Sequence, residues 1–182
     1  MKKHVLFLTA AALLGVAALI PSRASAQFVN GSSYIGPELG LGFGYGGGIM
    51  FGGMFETPIT DPGKVGPGRL AIAVRVDYWS WSVPLDAYSF SYSYMPIGVI
   101  CDYHFALSDP KWDLFLGLGL GYVIVSESNN FPQGQAYSYA YGSGLFFTGQ
   151  AGARYFFSPS MALRAEYGFS YLPFAVGLDF RF

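Results

Sequence analysis

The side chains most able to do chemistry in this sequence are a histidine and an aspartate two positions apart. His104 is one of two histidines in the chain, and Asp102 shares its face in an extended segment. A hydrolase would need a serine to complete a Ser-His-Asp triad with them. The pattern favours instead two polar side chains buried in the protein interior, and catalysis is the alternative.

Other charged residues also alternate along the chain. An arginine and a carboxylate lie two positions apart at Arg75–Asp77, Arg164–Glu166 and Asp179–Arg181. Because buried charges must be paired or hydrated, we predict a salt-bridged network with nearly balanced signs. A conducting path is the alternative. The predicted network comprises Glu38, Arg75, Asp77, Asp102, His104, Arg154, Arg164, Glu166, Asp179 and Arg181.

The sequence offers no recognisable site for a metal or a cofactor. Cys101 and His104 do not form the cluster of ligands that a metal needs, and no spaced carboxylate loop for calcium is present. The run GLGFGYGGG lacks the Lys-Ser/Thr ending of a phosphate-binding loop. No cofactor is therefore expected, and the lack of a basic patch argues against nucleic acid as a partner.

A secretory signal peptide is predicted at residues 1–26. A positive start precedes the apolar run from Val5 to Ile20, and Ala24-Ser25-Ala26 forms a small-x-small cleavage site. An N-terminal membrane anchor is the alternative. Residues 27–182 have the length of one domain.

The composition is unusual for a soluble domain. Charged residues make up 12% of the chain, against about 25% in typical domains, and aromatic residues make up 19%. After the first segment, no apolar run approaches the length of a membrane-spanning helix. A transmembrane β-barrel resolves the conflict, because only every second residue of its strands faces lipid.

Alternating apolar and polar residues mark the strands. In LFLGLGLGYVIV, Leu116, Leu118 and Leu120 share one face and three glycines share the other. Eight such segments predict an all-β, eight-stranded antiparallel up-and-down barrel. They lie at about 34–45, 47–57, 69–81, 91–107, 113–125, 145–157, 161–171 and 174–182.

Three features leave details of these strands open. The second segment alternates poorly, and the connection 58–68 that follows is long for a periplasmic turn. Pro96 predicts a bulge or a later strand start in the fourth segment.

On the inward face of the fifth strand, replacement of Gly119 by serine is expected to be tolerated.

The apolar face of every segment is free of charged residues, which a bilayer would require. A soluble calyx also alternates, with its apolar face inward. Its outer face should then be rich in lysine and glutamate, whereas the polar face here is largely Gly, Ala and Ser. The membrane barrel is therefore favoured.

An even strand count predicts that both chain ends lie in the periplasm. Residues 126–144 are expected to form the longest external loop.

A signal peptide, eight strands and a terminal Phe182 resemble the small outer-membrane barrels of the OmpA/OmpX type. The resemblance implies that the last strand, with Phe180 and Phe182, is the signal read by the barrel-assembly machinery. It implies a monomer in the outer membrane of a Gram-negative-type bacterium. Its partners would be outer-membrane lipid and, during biogenesis, the assembly machinery and periplasmic chaperones.

The function expected from this resemblance is structural or interactive, with loops presented at the cell surface. The alternative is passage of small or hydrophobic molecules, as in barrels of the OmpW type. A third hypothesis is a lipid-modifying enzyme, since some eight-stranded barrels are lipid A deacylases or acyltransferases. The deacylases carry a His-x-Ser-Asn stretch, whereas this chain reads HFAL from His104.

Overall fold

Eight antiparallel strands close into one barrel in the computed structural model, which describes residues 31–42, 48–85, 88–129, 142–171 and 174–182. The strands, β1 to β8, are Tyr34–Gly42, Gly48–Pro58, Arg69–Leu85, Tyr88–His104, Trp112–Asn129, Gly144–Ser158, Met161–Phe169 and Phe174–Arg181. The predicted fold class is confirmed. The predicted signal peptide, 1–26, lies outside the described residues. Within the described ranges, no helix is long and apolar enough to cross a membrane.

The first and last strands close the barrel. Leu39 of β1 pairs with Val176 of β8, and Ser33 and Phe182 exchange two backbone hydrogen bonds of 3.0 Å. Each strand therefore has a hydrogen-bonded neighbour on both sides, which removes the open edges that sheets otherwise leave. We call the end where β1 begins and β8 ends the terminal end, and the opposite one the loop end.

The alternation read from the sequence matches the two faces of the barrel. Leu118 and Leu116 are 70% and 54% exposed on the outside, whereas Gly117 between them is buried. An exposed apolar band of this kind is typical of barrels that face lipid, where leucines need no protein partner. Charged side chains are instead turned into the interior.

The inward glycines of β5 lie close to the neighbouring strand. A side chain added at Gly119 would place its Cβ 2.3 Å from the carbonyl oxygen of Val99. Because this atom belongs to the backbone of β4, it cannot move away cheaply. The expectation that serine is tolerated at Gly119 is therefore wrong.

The middle strands extend beyond the predicted segments. β3 continues to Leu85, β4 begins at Tyr88 and β5 continues to Asn129, so these three strands project together at the loop end. Pro96 causes no bulge and no later strand start, because the same register with β5 holds on both sides of it. That prediction is wrong: the ring sits in the interior of a strand that starts eight residues earlier.

The long connection after β2 is an ordered turn. The Ile59 amide donates to the Leu70 carbonyl at 2.9 Å, and the Gly68 amide donates to the Tyr103 hydroxyl at 2.9 Å. Gly63 and Gly66 have φ angles of 79° and 62°, which favour glycine. The turn thus folds back on the terminal end, and β2 lies where the sequence predicts it.

Candidate functional site: the barrel interior

A ring of two arginines and two glutamates crosses the middle of the lumen. Arg75 of β3 lies 2.5 Å from Glu38 and also contacts Glu166. Arg164 of β7 lies 2.8 Å from the other oxygen of Glu38 and 2.5 Å from Glu166. Each glutamate therefore bridges both arginines, and all four side chains are at most 1% exposed.

The pair between Arg75 and Glu166 joins opposite walls. In the closed strand order, β3 and β7 are four strands apart in either direction, so they face each other across the barrel. An eight-stranded barrel is just wide enough for side chains to fill it. A direct ion pair across the diameter leaves no open path at this level.

A second cluster lies nearer the terminal end, around Arg154 of β6. Its guanidinium lies 2.5 Å from Glu56, 2.9 Å from Asp113 and 2.6 Å from Asp179. Glu56 belongs to β2, which faces β6 across the barrel, so this pair also crosses the lumen. The guanidinium further stacks over the rings of Tyr34 and Phe115, at 5.0 and 5.5 Å from their centroids.

Asp179 joins the two clusters into one network. Its carboxylate accepts from Nε of Arg154 at 2.6 Å and from Nε of Arg164 at 3.1 Å. Both guanidinium groups are therefore tied to the same strand, β8.

His104 belongs to the second cluster. Its Nε2 lies 2.8 Å from Glu56, and its Nδ1 lies 2.8 Å from Asp113. With a carboxylate at each ring nitrogen, neither nitrogen is available to take a proton from a serine. Asp102 accepts two hydrogen bonds from Gln150, of 3.0 and 3.1 Å. This geometry does not form the triad considered from the sequence.

The structure brings nine of the ten residues of the predicted network into the interior, and Arg181 lies apart from them. Its side chain is half-buried at the terminal end, and no ion pair joins it to Asp179 among the described residues. That predicted pairing is wrong because Arg154 of β6 and Arg164 of β7 already occupy the Asp179 carboxylate.

Three members of the network were missed from the sequence: Glu56, Asp113 and Gln150. The alternation could have located the first two, since Glu56 follows the outward Phe55 and Asp113 precedes the outward Leu114.

The expected near balance of positive and negative charges in the interior is also wrong. The described interior holds seven buried carboxylates against three buried arginines and His104. The carboxylates are Glu38, Glu56, Asp77, Asp102, Asp113, Glu166 and Asp179.

An aromatic layer fills the lumen on the loop side of the ionic ring. Trp79 stacks on Tyr94 with ring centroids 5.0 Å apart, and Phe146 meets Tyr171 edge-on at 5.1 Å. Met50 and Met54 of β2 pack in the same cluster of buried residues. The lumen is therefore closed at two levels, by charge pairs at the ionic ring and by aromatic packing on its loop side.

A small cavity remains at the terminal end, between the turns that follow β2 and β4. It measures about 60 Å³ and is lined in part by Arg69, His104 and Asp113. This volume suits a few water molecules and is far below the roughly 300–1,000 Å³ of ligand pockets.

Within the described residues, no group of three His, Cys, Asp or Glu side chains is arranged to hold a metal ion.

A closed antiparallel barrel with an apolar outside and a charged inside defines a transmembrane β-barrel. No family model matches the sequence, and no curated protein matches it. Among solved structures, it is similar to the N-terminal β-barrel domain of Pseudomonas aeruginosa OprF. The TM-score is 0.53 at 16% identity, over 83% of this chain and 97% of that one.

It is also similar to Ail, the attachment invasion locus protein of Yersinia pestis. The TM-score is 0.50 at 13% identity, again over 83% of this chain and 97% of that one. At these identities the likeness concerns the fold alone. The chain thus shares the closed eight-stranded β-barrel fold of these outer-membrane proteins, which is the fold implied by the resemblance to the OmpA/OmpX type.

Proposed function

We propose that the protein is a closed, monomeric barrel of the bacterial outer membrane that presents its loop end at the cell surface. The observation that carries this proposal is the pair of ion contacts across the lumen, Arg75–Glu166 and Arg154–Glu56. A barrel sealed in this way serves as an anchor for what lies outside it. Its role is then structural or interactive.

The same closure argues against passage of small or hydrophobic molecules. A solute would have to pass the aromatic layer around Trp79 and Tyr94 and then break the ring at Arg164. Breaking one buried pair costs about 3–5 kcal/mol. A lipid-modifying enzyme is not favoured either, because both nitrogens of His104 already contact carboxylates.

The proposal also includes how the chain is exported and inserted into the outer membrane. A signal peptide at 1–26 would direct export, and periplasmic chaperones would deliver the chain to the barrel-assembly machinery. Phe180 and Phe182 would be read by that machinery. Phe182 lies at the terminal end beside Phe55, with ring centroids 6.4 Å apart, which puts it at the periplasmic edge in the proposed orientation.

Labelling of intact cells tests where the two ends of the barrel lie. The variants combine Cys101→Ser with a single new cysteine, either Gly142→Cys at the loop end or Ser108→Cys at the terminal end. Gly142 has open space for a side chain, and Ser108 is exposed. A membrane-impermeant maleimide should label Gly142→Cys on intact cells and Ser108→Cys only after lysis. The reverse pattern, or no labelling at Gly142→Cys, would contradict the proposal.

A further inference from the structure

Six serines form a regular grid on the outer face of the projecting strands. Ser80 of β3 pairs with Ser93 of β4, which pairs with Ser126 of β5. Two residues further from the barrel, Ser82, Ser91 and Ser128 form a second row in the same register. We call these six residues the serine grid. Neighbouring backbone positions of the grid are about 4.8 Å apart across strands and about 6.8 Å apart along them.

The grid begins where the apolar band ends. The row just below it on these three strands is Tyr78, Met95 and Ile124, and the next is Val76, Ile97 and Tyr122. Tyr78 and Tyr122 are 36% and 45% exposed, as expected of aromatic residues at a membrane interface. The step from apolar to hydroxyl side chains therefore occurs in one row on all three strands. In the proposed membrane location, the grid therefore faces sideways at the height of the lipid headgroups.

The grid is not built like an ordinary solvated strand face. Such faces usually carry lysine and glutamate, whereas all six outward positions here are serine. Ser82 and Ser91 hydrogen-bond to each other at 2.7 Å. The other four hydroxyls make no hydrogen bond with the described part of the chain. They stand exposed or half-exposed on a surface of small side chains.

Aromatic rings pack against each other on the opposite face of the same strands. Trp81 stacks on Tyr92 at 5.1 Å, and Phe90 stacks on Tyr92 at 4.8 Å. These rings tie the projecting strands to the aromatic layer and leave the serine face turned outward. The outward face is therefore an uncharged array of donors and acceptors, which fits a partner that is itself rich in hydroxyls.

From this placement we infer that the serine grid binds the sugar headgroups of glycolipids in the outer leaflet. The inference rests on the proposed location in the outer membrane. Each hydroxyl both donates and accepts, as sugar hydroxyls do, and the small side chains let a sugar lie close to the sheet. The grid carries no lysine or arginine, so the lipid phosphates are not the groups that it recognises.

The experiment compares thermal unfolding of the refolded barrel in three kinds of vesicle. One contains phospholipid alone, one adds lipopolysaccharide with a complete core oligosaccharide, and one adds the same lipid truncated to its lipid A portion. A ligand that binds only the folded state raises the melting temperature. We expect the complete lipid to raise it more than the truncated lipid, and we call this difference the sugar increment.

The test variant is Ser80→Ala, Ser93→Ala, Ser126→Ala, which removes the row nearest the membrane. It should lose about half or more of the sugar increment while melting at the wild-type temperature in phospholipid alone. The matched control is Ser108→Ala, Ser158→Ala, Ser160→Ala, which removes three hydroxyls at the terminal end. The control should keep the whole increment. Should the triple variant fail to refold, Ser126→Ala, Ser128→Ala on β5 replaces it.

Three results would overturn the inference: no sugar increment in the wild type, an equal increment in the test variant, or an equal loss in the control. In each of these cases the barrel still folds in the bilayer, so the proposed function stands. A wild-type chain that folds in none of the vesicles would instead contradict the proposed function.

Discussion

Replacing Arg164 with methionine should destabilise the barrel strongly, because its guanidinium holds three buried carboxylates. Its nitrogens lie 2.8 Å from Glu38, 2.5 Å from Glu166 and 3.1 Å from Asp179. Removing one partner of a buried ion pair costs about 3–5 kcal/mol. Since three carboxylates lose a partner at once in an interior already rich in negative charge, we expect a loss near the upper end of this range.

Arg181→Met provides the matched control. Arg181 is half-buried at the terminal end, away from the network, so its loss should change the free energy of unfolding by no more than about 0.5 kcal/mol. Both variants would be refolded in phospholipid vesicles and unfolded in urea. Tryptophan fluorescence would follow the transition, and its reversibility would be checked by refolding.

A second substitution separates the loss of charge pairing from the loss of packing. Glu166→Gln added to Arg164→Met removes one of the stranded charges while Arg75 keeps Glu38 and Asp77 as partners. The double variant should be more stable than Arg164→Met alone. Equal losses for Arg164→Met and Arg181→Met, or a double variant less stable than the single one, would refute the reasoning.

Three further substitutions and one deletion have definite expected outcomes. Asp77→Asn should leave the melting temperature unchanged or raise it, because Oδ1 of Asp77 is buried without a hydrogen-bond partner in the described part of the chain; a loss as large as that of Arg164→Met would contradict this. Leu118→Arg should cost about 2–4 kcal/mol near the bilayer midplane, and Leu145→Arg, nearer the loop end, about 1 kcal/mol or less; equal membrane incorporation would contradict the assigned depth. Deleting Phe182 should slow assembly in pulse-chase experiments more than it lowers the melting temperature of the refolded barrel, and unchanged kinetics would count against its role in recognition.

The lipid-facing residues were predictable from the sequence because a bilayer imposes the same rule on every strand. The ends of β3, β4 and β5 were not, because the prediction followed apolar side chains. Beyond the apolar band the outward residues are serines, such as Ser80 and Ser82, while the inward residues remain aromatic. The strands therefore continue where the lipid-facing pattern stops.

The partners within the network were only partly predictable. Neighbours two positions apart on one strand do pair, as Arg75 does with Asp77 at 2.8 Å. Contacts across the lumen depend on the tilt and register of all eight strands, which no local pattern encodes. For this reason the sequence assigned Asp179 to Arg181, whereas the carboxylate is held by Arg154 and Arg164.

The central claim is that charge pairs and aromatic packing close the lumen, and single-channel recording in planar bilayers tests it most directly. The wild-type barrel should insert without a steady current, because Arg75 and Glu166 meet across the diameter. Insertion would be verified on the same preparation by the heat-dependent shift of the folded protein in gels. Large, steady, ion-selective currents from the wild-type protein would contradict the closed lumen and favour a role in transport.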